Sequence, residues 1–401
     1  MMKRVTHILS KTAASLLLII IIAITGTSVS IIYDFDSPKP FEGEEIFNPY
    51  RSFNRDVRWK KANFHVHTRV KGIFNECEYW PAEVQEFHDR FGYDIVTFSN
   101  HNELTPHPFD STLQVNVYEH GYNLFKFHKL VFGSEDVNRF DHLLPLLASQ
   151  WQFQIEMLHN GCDMIQLNHP LRTTGTSRRL MQKLSGYEIM ELDCGKSTEN
   201  EFWDWALSAG HYSFGLANDD LHYPDRTVKF ARRCNFIQTP SGSWSDLKAA
   251  LSGGCYYSMR IPDYGNGNWE TKRERNLNLP CITDIGLQDS TIYIAFSQEA
   301  DSIKFFGQDH TTLALMKESA FASYTMAPAD RYARITAYFR DGEVIYTNPF
   351  ARYDAAKSPT PDRGKRYKAN IPLTIMFNAA LLLLLAVSGT VYYRYITRRK
   401  K

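Results

Sequence analysis

Asn63-Phe64-His65-Val66-His67-Thr68 sets two imidazoles two residues apart behind an apolar lead-in. On an extended strand, residues i and i+2 share a face, so His65 and His67 can aim at one point. Imidazole nitrogen is a ligand for zinc, iron and manganese. The pair alone fits two ordinary strand histidines better. It gains meaning only if neighbouring strands also end in ligands.

Working outward, apolar runs of strand length alternate with amphipathic stretches. Strands are expected over 63–66, 94–99, 130–133, 141–147, 164–168, 187–192 and 213–217, with helices over 81–91, 151–160 and 199–209 between several of them. Pro81 suits a first helical turn, and Gly92 and Gly210 suit C-terminal caps. Such alternation predicts a parallel sheet, and seven strands approach the count of a (β/α) barrel. In barrels of that kind the chemistry sits where strands end.

Most of these strands do end in ligand-type residues. The second runs into Asn100-His101-Asn102, the third into Ser134-Glu135, and His142 lies within the fourth. The fifth ends in Asn168-His169-Pro170 and the last in Asn218-Asp219-Asp220-Leu221-His222. Any one of these histidines also fits a capping or surface role. Together they would line one rim, and eight nitrogen and oxygen ligands exceed the needs of a single ion. That surplus suggests two or three divalent ions bridged by a carboxylate.

In order and spacing, FHVHT, SNHN, GSE, HLLPLL, NHP and DDLH resemble the polymerase and histidinol phosphatase (PHP) family of metal-dependent phosphoesterases, over about residues 63–260. The resemblance implies a distorted seven-stranded (β/α) PHP-type barrel holding Zn, Mn or Fe. It implies one ion on His65, His67, Glu135 and Asp220, a second on Glu135, His142 and His169, and a third served by His101 and His222. The implied chemistry is hydrolysis by a metal-bridging water or hydroxide, with no separate protein nucleophile. Two departures stand out. Val70-Lys71-Gly72 occupies the place of an acidic ligand, so the count of two or three ions stays open, with Glu76 or Glu78 as substitutes. Asn100 stands where Asp is common, and is expected to hold the His101 ring by a hydrogen bond. Arg172 and Lys71 are candidate phosphate clamps, and Glu191 a candidate support for a ligand.

At the N-terminus Lys3, Arg4 and Lys11 precede an apolar run over about 13–32, which fits a membrane helix or a cleavable signal and is read as an uncleaved anchor. A second apolar run, 371–393, precedes Arg394, Arg398, Arg399, Lys400 and Lys401. Positive residues stay in the cytoplasm, so both ends are expected inside and 34–368 outside. The expected order is an anchor (1–33), a stalk (34–61), the metallohydrolase barrel (62–280) and a small antiparallel β-sandwich (281–355). A linker (356–370), a transmembrane helix (371–393) and a basic cytoplasmic tail (394–401) complete it. The sandwich reading rests on alternating runs such as 291–296 and 334–339 and on the hairpin signal Asp341-Gly342.

With 45 basic and 44 acidic residues, net charge is +1, which provides no electrostatic case for a nucleic-acid partner. Six cysteines stand singly, with no CxxC pair, and read as packing thiols. The expectation is a two-pass cell-membrane protein whose extracytoplasmic part hydrolyses a small-molecule phosphoester. Two readings remain beside it: hydrolysis of ester, amide or carbamate bonds by the same centre, and a non-catalytic metal- or ligand-binding sensor.

Overall fold

Two hydrogen-bonded ladders, rather than one closed barrel, carry the body of the protein in this computed structural model, which describes residues 2–72, 75–194 and 199–397. The chain opens with α1 (Met2–Thr27), β1 (Tyr33–Phe35) and β2 (Glu45–Phe47). Next come β3 (Lys60–Val66), α2 (Pro81–Asp89), β4 (Ile95–Phe98), β5 (Val117–His120), β6 (Lys129–Phe132), α3 (Ala148–His159) and β7 (Met164–Leu167). Then α4 (Arg178–Met181), β8 (Ile189–Glu191), α5 (Glu201–Ser208), β9 (Phe214–Leu216), β10 (Arg233–Ile237), α6 (Trp244–Gly253), β11 (Tyr256–Arg260) and α7 (Trp269–Leu277) follow. Strands β12 (Ile282–Gln288), β13 (Thr291–Phe306), β14 (Thr312–Thr325), β15 (Tyr332–Tyr338), β16 (Val344–Thr347), β17 (Phe350–Tyr353) and β18 (Tyr367–Ala369) lead to α8 (Ile371–Thr397). Residues 398–401, the end of the expected basic tail, lie outside the described residues.

The first ladder is β5-β6-β7-β8-β9, and the second has the spine β4-β3-β10-β11-β16-β15-β13-β12. They touch through two isolated parallel bridges, Val66–Leu221 and His101–Glu119. The expected seven-stranded barrel is therefore not closed by continuous pairing among the described residues. One expected strand is also replaced. Residues 141–147 are turn and loop, where Pro145 has no N–H to give a ladder, and Val117–His120 takes a ladder position instead.

Strand direction matters most for the site. Pairs β3–β4, β7–β8 and β8–β9 are parallel, but β6 is antiparallel to both β5 and β7. An antiparallel strand presents its N-terminal end at the rim where parallel neighbours present their C-terminal ends. His128, just before β6, therefore faces the rim, and Ser134-Glu135, just after it, lies at the opposite end.

The strands expected as a separate sandwich continue the second ladder, because β16 pairs antiparallel with β11. Asp341-Gly342 forms the β15–β16 turn, with Gly342 at φ 97°, a region glycine enters without a Cβ clash. The expected stalk packs on the body: Phe41, Phe47 and Tyr50 are buried, and Tyr50 Oη donates to Tyr256 O at 3.0 Å.

Helices α1 and α8 lie side by side. Lys11 Nζ donates to Ile396 O at 2.9 Å near one end, and Asn378 Nδ2 donates to Ser30 O at 2.9 Å toward the other. The pair is thus antiparallel, and the chain enters and leaves the body at the same place, where β1 pairs with β18. Ile8–Thr27 and Ile371–Thr397 are each long and apolar enough to cross a membrane.

Candidate metal centre

Local pairing delivers the ligands. His67 N donates to Leu221 O at 2.9 Å and Leu221 N to His65 O at 3.2 Å, which zips the segment after β9 onto β3. Asp220 and His222 thereby arrive beside His65 and His67. Likewise Asn102 N donates to Glu119 O at 2.8 Å and Glu119 N to Asn100 O at 3.1 Å, which sets His101 against β5.

The Glu119 carboxylate is buried at the centre. Its Oε2 lies 3.2 Å from His65 Nε2, 3.1 Å from His67 Nε2 and 3.1 Å from His101 Nε2. Its Oε1 lies 3.1 Å from His128 Nδ1 and 3.2 Å from His169 Nε2. Asp220 Oδ1 stands 3.3 Å from His65 Nε2 and 3.2 Å from His67 Nε2. A partly exposed carboxylate completes the ring: Glu76 Oε2 is 3.2 Å from His101 Nε2 and 3.6 Å from His222 Nε2.

Three overlapping donor sets result among the described residues: His65, His67, Glu119 and Asp220; His67, Glu76 and His222; His101, Glu119 and His128. Within each, the ligand atoms lie within 4.8 Å of one another. His65 Nε2, His67 Nε2 and Glu119 Oε2 are buried without a hydrogen-bond partner. Such atoms are costly to bury unless something else satisfies them, and all three converge on one point. A nitrogen and carboxylate-oxygen set of this kind suits Zn, Mn or Fe, so the residues present fit the divalent ions expected.

Outer contacts aim the ligands. His65 Nδ1–H donates to Glu191 Oε1 at 2.9 Å, leaving Nε2 to face Glu119. His222 Nδ1–H donates to Asp220 O at 2.8 Å, leaving its Nε2 free to ligate. Asn168 Nδ2 donates to Glu119 Oε1 at 2.8 Å, and Gln166 Nε2 to Asn168 Oδ1 at 2.9 Å. These arrangements match the second partners that metal-binding histidines and carboxylates need. His169 and Asp220 sit at φ 30° and 49°, left-handed backbone that costs a non-glycine residue about 1–3 kcal/mol and gathers at functional sites.

The electrostatics agree. Burial opposes a proton on His67, but Asp220 and Glu119 outweigh it and lift the ring to about 9. Burial likewise opposes the His65 proton, and Glu119, Glu191 and Asp220 push it well above the usual imidazole range. Burial would raise Glu119, yet His101, His65 and His128 hold it well below the carboxylate range. A divalent ion entering this site would have to displace those protons from the imidazoles.

Of the eight metal ligands expected from sequence, the structure brings together His65, His67, His101, His169, Asp220 and His222. Glu135 is exposed on the turn after β6 and lies outside the cluster, because that strand runs antiparallel. Glu119, not Glu135, is the carboxylate at the centre of the imidazoles. His142 is also elsewhere: its Nε2 pairs with Val29 O at 3.1 Å and its Nδ1 with Gln154 Nε2 at 3.0 Å, while burial lowers it to about 4. Asn100 pins Thr68, accepting from its N–H at 2.8 Å, rather than holding the His101 ring. Of the two substitutes, Glu76 reaches the site and Glu78 is exposed. Arg172 pairs with Asp220 Oδ2 at 2.5 Å, whereas Lys71 is exposed. Glu119 and His128 were missed. The alternation Val115-x-Val117-x-Glu119 ahead of Gly121 is the signal that marks β5.

Beside Asp220 opens a cleft of about 750 Å³, whose lining includes Arg172, His222, Lys229, Arg232, Arg233 and Arg260. Arg233 and Arg260 share Asp193, at 3.0 and 3.7 Å. This wall carries more positive than negative side chains.

No protein-family model matches the sequence, and no curated protein matches it either. Among solved structures, the chain is similar to a two-domain protein containing a predicted PHP-like metal-dependent phosphoesterase from Bacteroides vulgatus. The two share 15% identity at a TM-score of 0.37, over 79% of this chain and 99% of that one. It is also similar to the lesion-specific endonuclease EndoQ from Pyrococcus furiosus, at 17% identity and a TM-score of 0.35, over 49% of this chain and 56% of that one.

Proposed function

We propose that this protein is a metal-dependent hydrolase of phosphoesters, held in the membrane by α1 and α8 with its catalytic body on the extracytoplasmic side. The observation that carries the reading is the Glu119 carboxylate ringed by five imidazoles, with His65 Nε2, His67 Nε2 and its own Oε2 buried and unbonded. Two divalent ions held there would acidify water and neutralise phosphoryl charge.

The chain's own residues do the rest. Glu119 would balance the charge of ions held beside it, Glu191 and Asn168 fix the side chains that face them, and Arg172, paired with Asp220 and half-exposed, would meet an anionic oxygen of the substrate. The basic wall of the adjoining cleft favours a phosphoryl substrate over a neutral ester or amide. An antiparallel pair of membrane helices would leave both termini on one side of a bilayer. The basic residues Lys11 and Arg394, toward those ends of the sequence, support a cytoplasmic side there.

The test is turnover of p-nitrophenyl phosphate and bis-p-nitrophenyl phosphate by the detergent-purified full chain with Mn²⁺ or Zn²⁺, beside His65→Ala. Metal-dependent hydrolysis that the substitution lowers by about a hundredfold or more is expected, the scale set by losing one element of a preorganised centre. Hydrolysis untouched by the substitution, or none with either metal, would overturn the reading.

A further inference from the structure

The candidate metal centre is tied to the end of the first apolar helix by a short series of contacts. Tyr122 stacks on the His101 ring, with centroids 4.9 Å apart. Two residues on, Leu124 N donates to Leu143 O at 3.1 Å, and Leu143 N donates in turn to Thr27 Oγ1 at 3.3 Å. Gln150 Nε2, in the first turn of α3, to Ser28 O at 3.1 Å and the His142–Val29 contact fasten this region to the same helix end. On the other flank, Thr174 N donates to Phe125 O at 2.7 Å, which joins the loop after His169 to this platform.

The platform exposes large apolar side chains among the described residues. Leu146 is 69% exposed, Leu124 64%, Tyr122 58%, Leu171 46% and Leu147 40%. Tyr122 and Leu124 lie on the contact path from His101 to Thr27, Leu146 and Leu147 follow Leu143 along the chain, and Leu171 follows His169. Lys126, exposed on the same loop, adds a cation beside them. Leucines and an aromatic residue with a flanking lysine is the composition of a surface that lies in the headgroup and acyl boundary of a bilayer.

Resting on the two-pass metallohydrolase reading above, we infer that this rim, Tyr122, Leu124, Leu146, Leu147 and Leu171, seats in the membrane that anchors the helices, so that the centre takes phosphoesters carried on lipids. In the step, the oxygen of water bonds to phosphorus and the P–O bond to one alcohol breaks. That alcohol leaves with the proton given up by the water, and no redox partner is involved. The basic cleft beside Asp220 holds the anionic headgroup while the acyl chains stay in the bilayer.

The experiment uses the full chain reconstituted in phosphatidylcholine vesicles containing phosphatidic acid or phosphatidylglycerol, with Mn²⁺ present. Contact is read by photo-crosslinking from p-benzoylphenylalanine in place of Leu146, with Leu315 on β14 as the control position. Lipid adducts at 146 and not at 315 are expected. Turnover is read on the phospholipids and on bis-p-nitrophenyl phosphate, for the native chain and for the combined Leu124→Ser, Leu146→Ser, Leu147→Ser variant. Phospholipid turnover falling about tenfold or more, with the soluble ester unchanged, would support the inference. The absence of lipid adducts at 146 would overturn it whatever the activity. Adducts with hydrolysis of the soluble ester alone would overturn the lipid substrate while leaving the metallohydrolase standing. Adducts with no hydrolysis of either ester would overturn the metallohydrolase reading and this inference with it.

Discussion

Glu191 Oε1 accepts the Nδ1–H of His65 at 2.9 Å, and its other oxygen accepts from His169 N at 2.7 Å. One buried carboxylate thus orients two ligand-bearing segments at once, the end of β3 and the loop after β7. It touches no other ring in the cluster, so its contribution is to aim rather than to ligate.

Replacing it tests that division of labour. Glu191→Gln keeps the shape but exchanges a charged acceptor for a neutral one. Metal affinity is expected to fall about 10–100-fold, the usual cost of losing a ligand's outer partner. Isothermal titration of the metal-free chain with Mn²⁺ or Zn²⁺ reads this directly, and an unchanged affinity would count against the orienting role.

Glu119 and Glu135 provide a paired contrast. Glu119→Gln removes the charge at the centre of five imidazoles, and a loss of activity of about a hundredfold or more is expected. Glu135→Gln, on an exposed turn at the far end of an antiparallel strand, is expected to leave both metal content and activity as they were. Metal analysis of the two purified variants, run beside the native chain, decides between the two carboxylates.

Acid stability should depend on His88, which is fully buried on α2. Burial lowers it to about 4, with Lys61 adding to the shift and its bond to Val84 O opposing it. The ring stays neutral in the fold while the unfolded chain takes a proton below about 6.5. Stability is therefore intact above pH 6.5 and is lost as pH falls from 6.5 toward 4, by up to about 3 kcal/mol. His88→Phe, which retains ring contacts to Tyr93 and Phe230, should flatten that part of the curve of melting temperature against pH.

Asp204 on α5 joins the helix layer to the second ladder. Its Oδ1 accepts from Arg334 Nε at 2.8 Å and from Tyr332 Oη at 2.9 Å, while His310 Nδ1 lies 2.6 Å from Oδ2. Arg334 is buried, so Asp204→Leu would strand its charge. A destabilisation of about 3–5 kcal/mol is expected, read as a lower denaturation midpoint in detergent. The Arg334→Met, Asp204→Leu double variant should recover part of the loss, because no charge is then left unpaired.

By itself the sequence determined those features that depend on neighbours along the chain. His65 and His67 share a face because a strand repeats every two residues. The helices over 81–91, 151–160 and 199–209 follow from local periodicity and caps. His101, His169, Asp220 and His222 follow parallel strands, so the rule that ligands stand at C-terminal ends located them. The two apolar terminal helices were legible for the same reason, length and composition being local quantities.

Tertiary structure alone decided the direction of β6 and the pairing of β11 with β16. Strand direction is set by hydrogen bonds to partners distant in sequence, and an apolar run such as Lys129–Phe132 reads identically either way. Reversing that one strand brings His128 to the rim in place of Glu135, and the central carboxylate is Glu119 on β5, a strand that local pattern alone does not single out. His142 shows the complementary case. It lies in a motif that fits a ligand, yet long-range contacts with Val29 and Gln154 claim both ring nitrogens and make it a fastening between the loop and the end of α1.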